Sequence, residues 1–124
     1  MKIRIRGNSV RFRLTKDEVE KLCTVGSIKE ETHFSTSVFS YAVNVSETEN
    51  LSIDFKENKI ELKISEALLG DWNLNNKIGF SHTVKAQNAE FIDLLLEKDF
   101  TCLDDRGEDE SNNYPNPKAT IHHG

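Results

Sequence analysis

The sequence predicts an α+β domain that is mainly antiparallel β: about eight short strands in a curled or barrel-like sheet, with one main helix. Three observations carry this prediction. Period-two alternation of apolar and polar residues recurs in short stretches, a single helical stripe interrupts it, and turn residues separate the stretches. Leu, Ile, Val and Phe number 34 in 124 residues, and 33 of them precede Asp104, so one modest core belongs to residues 1–103. Residues 104–124 hold one large aliphatic, Ile121, together with both prolines and five acidic residues. Such a segment buries too little to order itself and is expected to be a mobile or peripherally attached tail.

The elements follow in chain order. Ile3 and Ile5 alternate with Lys2, Arg4 and Arg6, and Val10, Phe12 and Leu14 alternate with Arg11 and Arg13, which gives two strands with bases opposite apolar faces. Gly7-Asn8-Ser9 is hairpin chemistry between them. Thr15 with Glu18 three residues on forms a capping box, and Asp17 suits the positive start of a helix. Val19, Leu22 and Cys23 make its stripe, and Gly26 suits the left-handed residue beyond its end. Strands are then expected at 28–34, 38–45, 51–56 and 59–64, the last two joined by a tight turn at Glu57-Asn58. Ser65 caps a short helical turn that stops at Gly70, the asparagines 73, 75 and 76 mark a loop, and 78–84 and 91–100 close the domain as a strand pair.

Charge is unevenly distributed. The net charge is −5, yet residues 1–16 carry six bases and no acid. Residues 17–103 sum to −8 and the tail to −3. An acidic total argues against general nucleic-acid binding while leaving room for a local anion site at the basic end. No apolar run nears the ~20 residues of a membrane helix. The alternating, charged opening excludes a signal peptide's continuous apolar stretch, so the cytoplasm and reduced Cys23 and Cys102 are expected.

Arg4, Arg6, Arg11 and Arg13, with Lys2, are the candidate ligand-binding residues. On two adjacent strands they share a face with neighbours ~5 Å apart, where like charges repel and call for a counter-charge. The competing account is a solvated outer face paired with acids such as Glu61. The run 104–110 lacks the spacing of a calcium loop, because Gly107 is its fourth residue and not its sixth. It reads instead as a solvating run, or as a strap over the basic face. His82 alternates with Ile78, Phe80 and Val84 and reads as a core histidine, while His33 stands alone. His122-His123 are terminal and read as adventitious ligands. The two cysteines form no CxxC and read as free buried thiols, and Trp72 reads as a core anchor. No nucleotide, hydrolase or zincin motif is present, so neither a catalytic set nor a metal or cofactor is expected.

Three stretches carry a resemblance: 2–15 (Lys2-Ile3-Arg4-Ile5-Arg6 through Leu14-Thr15), 97–103 (Glu97 through Leu103) and Tyr114-Pro115-Asn116-Pro117. Together they resemble a family of uncharacterised small bacterial proteins, which implies a compact bacterial cytoplasmic domain and no residue-level role. The alternating charges also look like those of the triphosphate tunnel enzymes, whose opening E-x-E-x-K strand supplies carboxylates for metal and a phosphate contact. Here Lys2, Arg4 and Arg6 occupy that alternation without the glutamates, and Glu61-x-Lys63 is a fragment on a later strand. A charged tunnel also needs helices over its apolar exterior, and this chain offers about one. Apolar faces are therefore expected inward and bases outward. The leading reading is a non-enzymatic binding or interaction module, its partner an anionic ligand or acidic protein surface. The alternative is an enzyme on phosphorylated small molecules, with the arginines as a phosphate clamp and Glu57 or Glu61 holding magnesium. A third reading has the protein work through a dimer contact.

Overall fold

The structure, a computed structural model, describes residues 1–47, 50–100 and 112–115. The elements are β1 (Lys2–Arg6), β2 (Ser9–Leu14), α1 (Lys16–Val25), β3 (Ser27–His33), β4 (Val38–Ser46), β5 (Leu51–Lys56), β6 (Lys59–Ser65), α2 (Glu66–Leu69), β7 (Gly79–Lys85) and β8 (Phe91–Lys98). Strand existence and order follow the alternation in the sequence, with ends displaced by a residue or two. The final strand stops at Lys98, short of residue 100.

One expectation about the sheet is corrected. The strands do not make one curled or barrel-like sheet; they divide into two four-stranded sheets, ordered β1-β2-β8-β7 and β3-β4-β6-β5, and no barrel closes. The described residues therefore form no closed barrel of the kind that encloses a tunnel in the triphosphate enzymes. The pairing is mainly antiparallel, as the alternation indicates, with two exceptions at the sheet centres, where β2 runs parallel to β8 and β4 parallel to β6. Each sheet is two antiparallel hairpins laid side by side and joined through their second strands. Because the two hairpins of a sheet turn at the same end, their joined second strands run parallel.

The inner faces of the two sheets share one core. Phe12, Leu14, Leu94 and Leu96 of the first sheet and Val43, Leu51, Leu62 and Ile64 of the second belong to a single buried cluster. The hairpin arrangement gives the molecule two unlike ends. All four hairpin turns fall at one end. The links that carry α1 and α2, from β2 to β3 and from β6 to β7, fall at the other. There Thr15 Oγ1 accepts the Glu18 N–H and the Glu18 carboxylate accepts the Thr15 N–H at 2.9 Å, completing the capping box. Val19, Leu22, Leu69 and Trp72 are buried under this cap. The Trp72 indole stands edge-on to Phe80 at 5.0 Å and donates its N–H to the Lys77 carbonyl at 2.7 Å, the core anchor its sequence position indicates.

Residues 112–115 dock beside the end of β8. The Tyr114 N–H donates to the Asp99 carbonyl at 2.8 Å and the Lys16 N–H to the Asn112 carbonyl at 3.1 Å. The acidic run 104–110, Cys102 and His122-His123 lie outside the described residues. No described helix is long and apolar enough to cross a membrane.

Candidate functional site

Strand pleat and register bring the predicted cations together. Ile3 and Ile5 turn inward opposite Phe12 and Val10, so their neighbours on β1 and β2 turn outward. Lys2 then lies directly across from Arg13, and Arg4 directly across from Arg11. Cross-strand pairs of like charge oppose folding, so this face depends on its anions. They come from β8 and the residue after it. Glu97, next to Arg13 in the parallel register, takes Arg11 Nε at 3.2 Å and reaches Arg13 Nε at 3.9 Å. Lys2 Nζ lies 3.3 Å from the buried Asp99 carboxylate. Glu61, the expected counter-charge, is on the outer face of the other sheet, where Asn44 donates to it and Lys63 approaches it. The chain therefore neutralises the basic face through the parallel β2–β8 contact, which the sequence pattern does not reveal.

Neutralisation is incomplete among the described residues. Arg4 and Arg6 have no carboxylate within ion-pair distance there, and with Arg11 and Ser9 they surround a shallow hollow of about 150 Å³. The hollow presents guanidinium forks and one hydroxyl, all donors suited to a phosphate or carboxylate. Asp93, beside Ser9 in the β2–β8 register, accepts the Thr83 hydroxyl at 2.7 Å. Arg13, the fourth candidate, stands outside the hollow beside Glu97.

The magnesium-dependent alternative needs Glu57 or Glu61 to meet these arginines. Both instead line a hollow of about 460 Å³ with Asp54, Lys56 and Lys59 on the second sheet. The described residues contain no cluster of three or more metal-ligating side chains. His82 is on the inner face opposite Leu94, half-buried on the edge strand β7, and His33 is exposed at the end of β3.

Two ionic arrangements went unread in the sequence. The Met1 ammonium sits 2.7 Å from both Glu18 and Glu30, and Glu30 also accepts the Tyr41 hydroxyl at 3.0 Å. Burial acts against the charge of this amine, but hydrogen bonds and the charges of Glu18 and Glu30 prevail and raise its pKa. For Glu30 burial likewise opposes ionisation, and the hydrogen bonds it receives prevail to lower its pKa. The second arrangement centres on Lys98, only 5% exposed. Its ammonium donates to the Asn75 carbonyl at 2.7 Å and lies over the Trp72 and Tyr114 rings at 5.7 and 4.9 Å. Burial pushes its pKa down, and the nearby Cys23 thiol, itself raised mainly by burial, partly offsets that. Lys98 thus ties the 71–77 loop and residues 112–115 onto the sheet. The available signal was phase: Glu30 follows Ile28 and Lys98 follows Leu94 and Leu96 on inward positions.

A family of unknown function (DUF7009) matches residues 1–118 of the chain. Comparison with curated proteins finds no match, and comparison with solved structures finds none either.

Proposed function

The chain belongs to that family of unknown function, a membership that brings no activity with it, and we propose from its own geometry that it is a non-enzymatic module binding an anionic group on its arginine face. The observation that supports this most is the charge imbalance of that face. Five cations stand on two adjacent strands, Glu97 and Asp99 answer three of them, and Arg4 and Arg6 stay unpaired among the described residues around an open hollow. An anion seated there relieves cross-strand repulsion and gains charge-assisted hydrogen bonds together. The separation of Glu57 and Glu61 from the arginines favours binding over turnover. We read the setting as cytoplasmic, with phosphorylated small molecules or an acidic protein segment as ligand.

The test is thermal unfolding of the full chain with phosphorylated compounds, tripolyphosphate first, with and without magnesium. At ~100 times the dissociation constant a ligand stabilises by about 2.7 kcal/mol, a shift of several degrees. Arg4→Gln and Arg6→Gln are each expected to weaken binding roughly tenfold, and added salt to weaken it further. Binding indifferent to both substitutions overturns the assignment of the face. Magnesium-dependent turnover of the same compounds overturns the non-enzymatic reading.

A further inference from the structure

Among the described residues, nothing caps the end of the sandwich opposite the helices. At the helix end, α1, Leu69 and Trp72 lie over the core and leave Leu22 and Trp72 without solvent exposure. At the hairpin end the four turns alone, among the described residues, close the strands, and inward positions of both sheets are exposed. Ile5, on the inward phase of β1, is 58% exposed, and Phe55, on the inward phase of β5, is 69% exposed. Between the sheets lies a cleft of about 680 Å³. Ile5, Val84 and Ile92 wall it on one side, and Phe39, Ile53 and Phe55 on the other. Val10 and Ile60, both nearly buried, form its floor.

We propose that this cleft is a binding site for a small anionic amphiphile of the fatty-acid type, its chain between the sheets and its carboxylate at Lys85. Three features select that occupant. The cleft is concave, lies within the size range of small-molecule sites, and takes its walls from both sheets, which suits a slender ligand entering between them. Its walls are mainly aliphatic and aromatic, so the inserted part of a ligand is apolar. Its polar groups are confined to Asp54, Lys85 and Gln87. Asp54 shares Lys63 with Glu61, at 4.0 and 3.9 Å, whereas Lys85, at the end of β7 on the rim of the cleft, has no carboxylate partner among the described residues and is the cation there that an anion can answer. A carboxylate on the end of the chain answers that charge, and the Gln87 amide can donate to it as well. This site is separate from the arginine hollow, which lies on the opposite face of β1 and β2.

The experiment is calorimetric titration of the full chain with saturated C8, C10 and C12 fatty acids below their micellar concentrations, alongside the matching alcohols. Isoleucine methyl NMR locates the site. Each two-carbon step is expected to tighten binding by roughly fifteenfold, about fourfold per methylene. Ile5, Ile53 and Ile92 are expected to shift while Ile28 and Ile64 stay still. The acid should bind better than its alcohol, and Lys85→Gln should remove that preference. Ile5→Ser with Phe55→Ser, at positions already exposed, should abolish binding with the circular dichroism spectrum intact. Arg4→Gln with Arg6→Gln should leave it unchanged, so this inference and the anion-face reading fail separately. Absence of chain-length dependence, or shifts elsewhere, overturns the proposal. So does dimerisation through Ile5 and Phe55, or binding only to phosphatidylglycerol vesicles and not to monomeric acids.

Discussion

Glu30 shows how a single residue links strand phase to pH. It occupies an inward position of β3 between Ile28 and Thr32, where a carboxylate costs stability unless it is paired. The Met1 ammonium and the Tyr41 hydroxyl supply the pairing. The two shifted groups act on opposite limbs of the stability curve. Glu30, lowered when folded, contributes stability that is present above the ordinary carboxyl value of 4.5 and is lost as pH falls through its depressed folded pKa. The Met1 amine, raised when folded, contributes stability that is present below its ordinary 8.0 and is lost as pH rises through its elevated folded pKa. Thermal unfolding of Glu30→Gln across pH 3–10 is expected to show less loss on both limbs and a lower plateau at pH 6. Because the Glu30 side chain is still 41% exposed, solvent screening holds the plateau loss to about 1 kcal/mol, a few degrees in Tm. Full retention of both limbs in Glu30→Gln counts against the assignment.

At the scale of elements, two glycines in β-structure make opposite demands. Gly79 opens β7 against β8 so closely that a Cβ there would lie 2.3 Å from the Leu96 carbonyl oxygen and 2.9 Å from the Glu97 Cα. Those neighbours are backbone of a central strand and have little room to move. Gly79→Ala is therefore expected to cost about 1–3 kcal/mol in chemical denaturation. Gly7, in the β1–β2 turn, has φ +52° and nothing within 4 Å of a built Cβ. Gly7→Asn keeps a residue tolerant of that left-handed conformation and is expected to stay within about 0.5 kcal/mol of the parent. Equal effects of the two substitutions would contradict the proximity of β7 to β8. The contrast also marks what the sequence discloses. Capping at Thr15, the left-handed Gly26 and the turn at Glu57-Asn58 are encoded within a few residues of where they act, and all were legible. The β2–β8 and β4–β6 pairings join segments distant in sequence. Alternation fixes each strand's buried face but not its neighbour, so two mixed sheets and one curled sheet share the same pattern. The arginine face was legible for the same reason, being set by phase within β1 and β2. Its counter-ion, Glu97, was not, because it arrives through a long-range parallel pair.

For the whole molecule, the consequence of that topology is a gradient from one end to the other. Neither sheet has a core of its own: Phe12 and Leu96 of one and Val43 and Leu62 of the other are buried in a single cluster, so the two sheets must unfold together. Leu62→Ala and Leu96→Ala are accordingly each expected to destabilise by about 2–5 kcal/mol and to broaden protection loss across both sheets equally. Superimposed on this common transition is the difference between the capped and the open end. At the helix end α1 and Trp72 shield the strand ends, whereas at the hairpin end Ile5 and Phe55 remain exposed on the cleft walls. Amide exchange follows local burial and packing, so openings near the hairpins need less free energy than global unfolding. In native-state hydrogen exchange, ladder amides around Val43, Leu62 and Leu96 are expected to exchange at the global free energy. Those near Ile5, Phe55 and Ile92 are expected to exchange below it. Occupation of the cleft by a fatty acid would tie the two walls together and raise protection at the second group of amides first. Uniform protection along the strands would mean that the hairpin end is held closed by packing stronger than its exposed side chains imply.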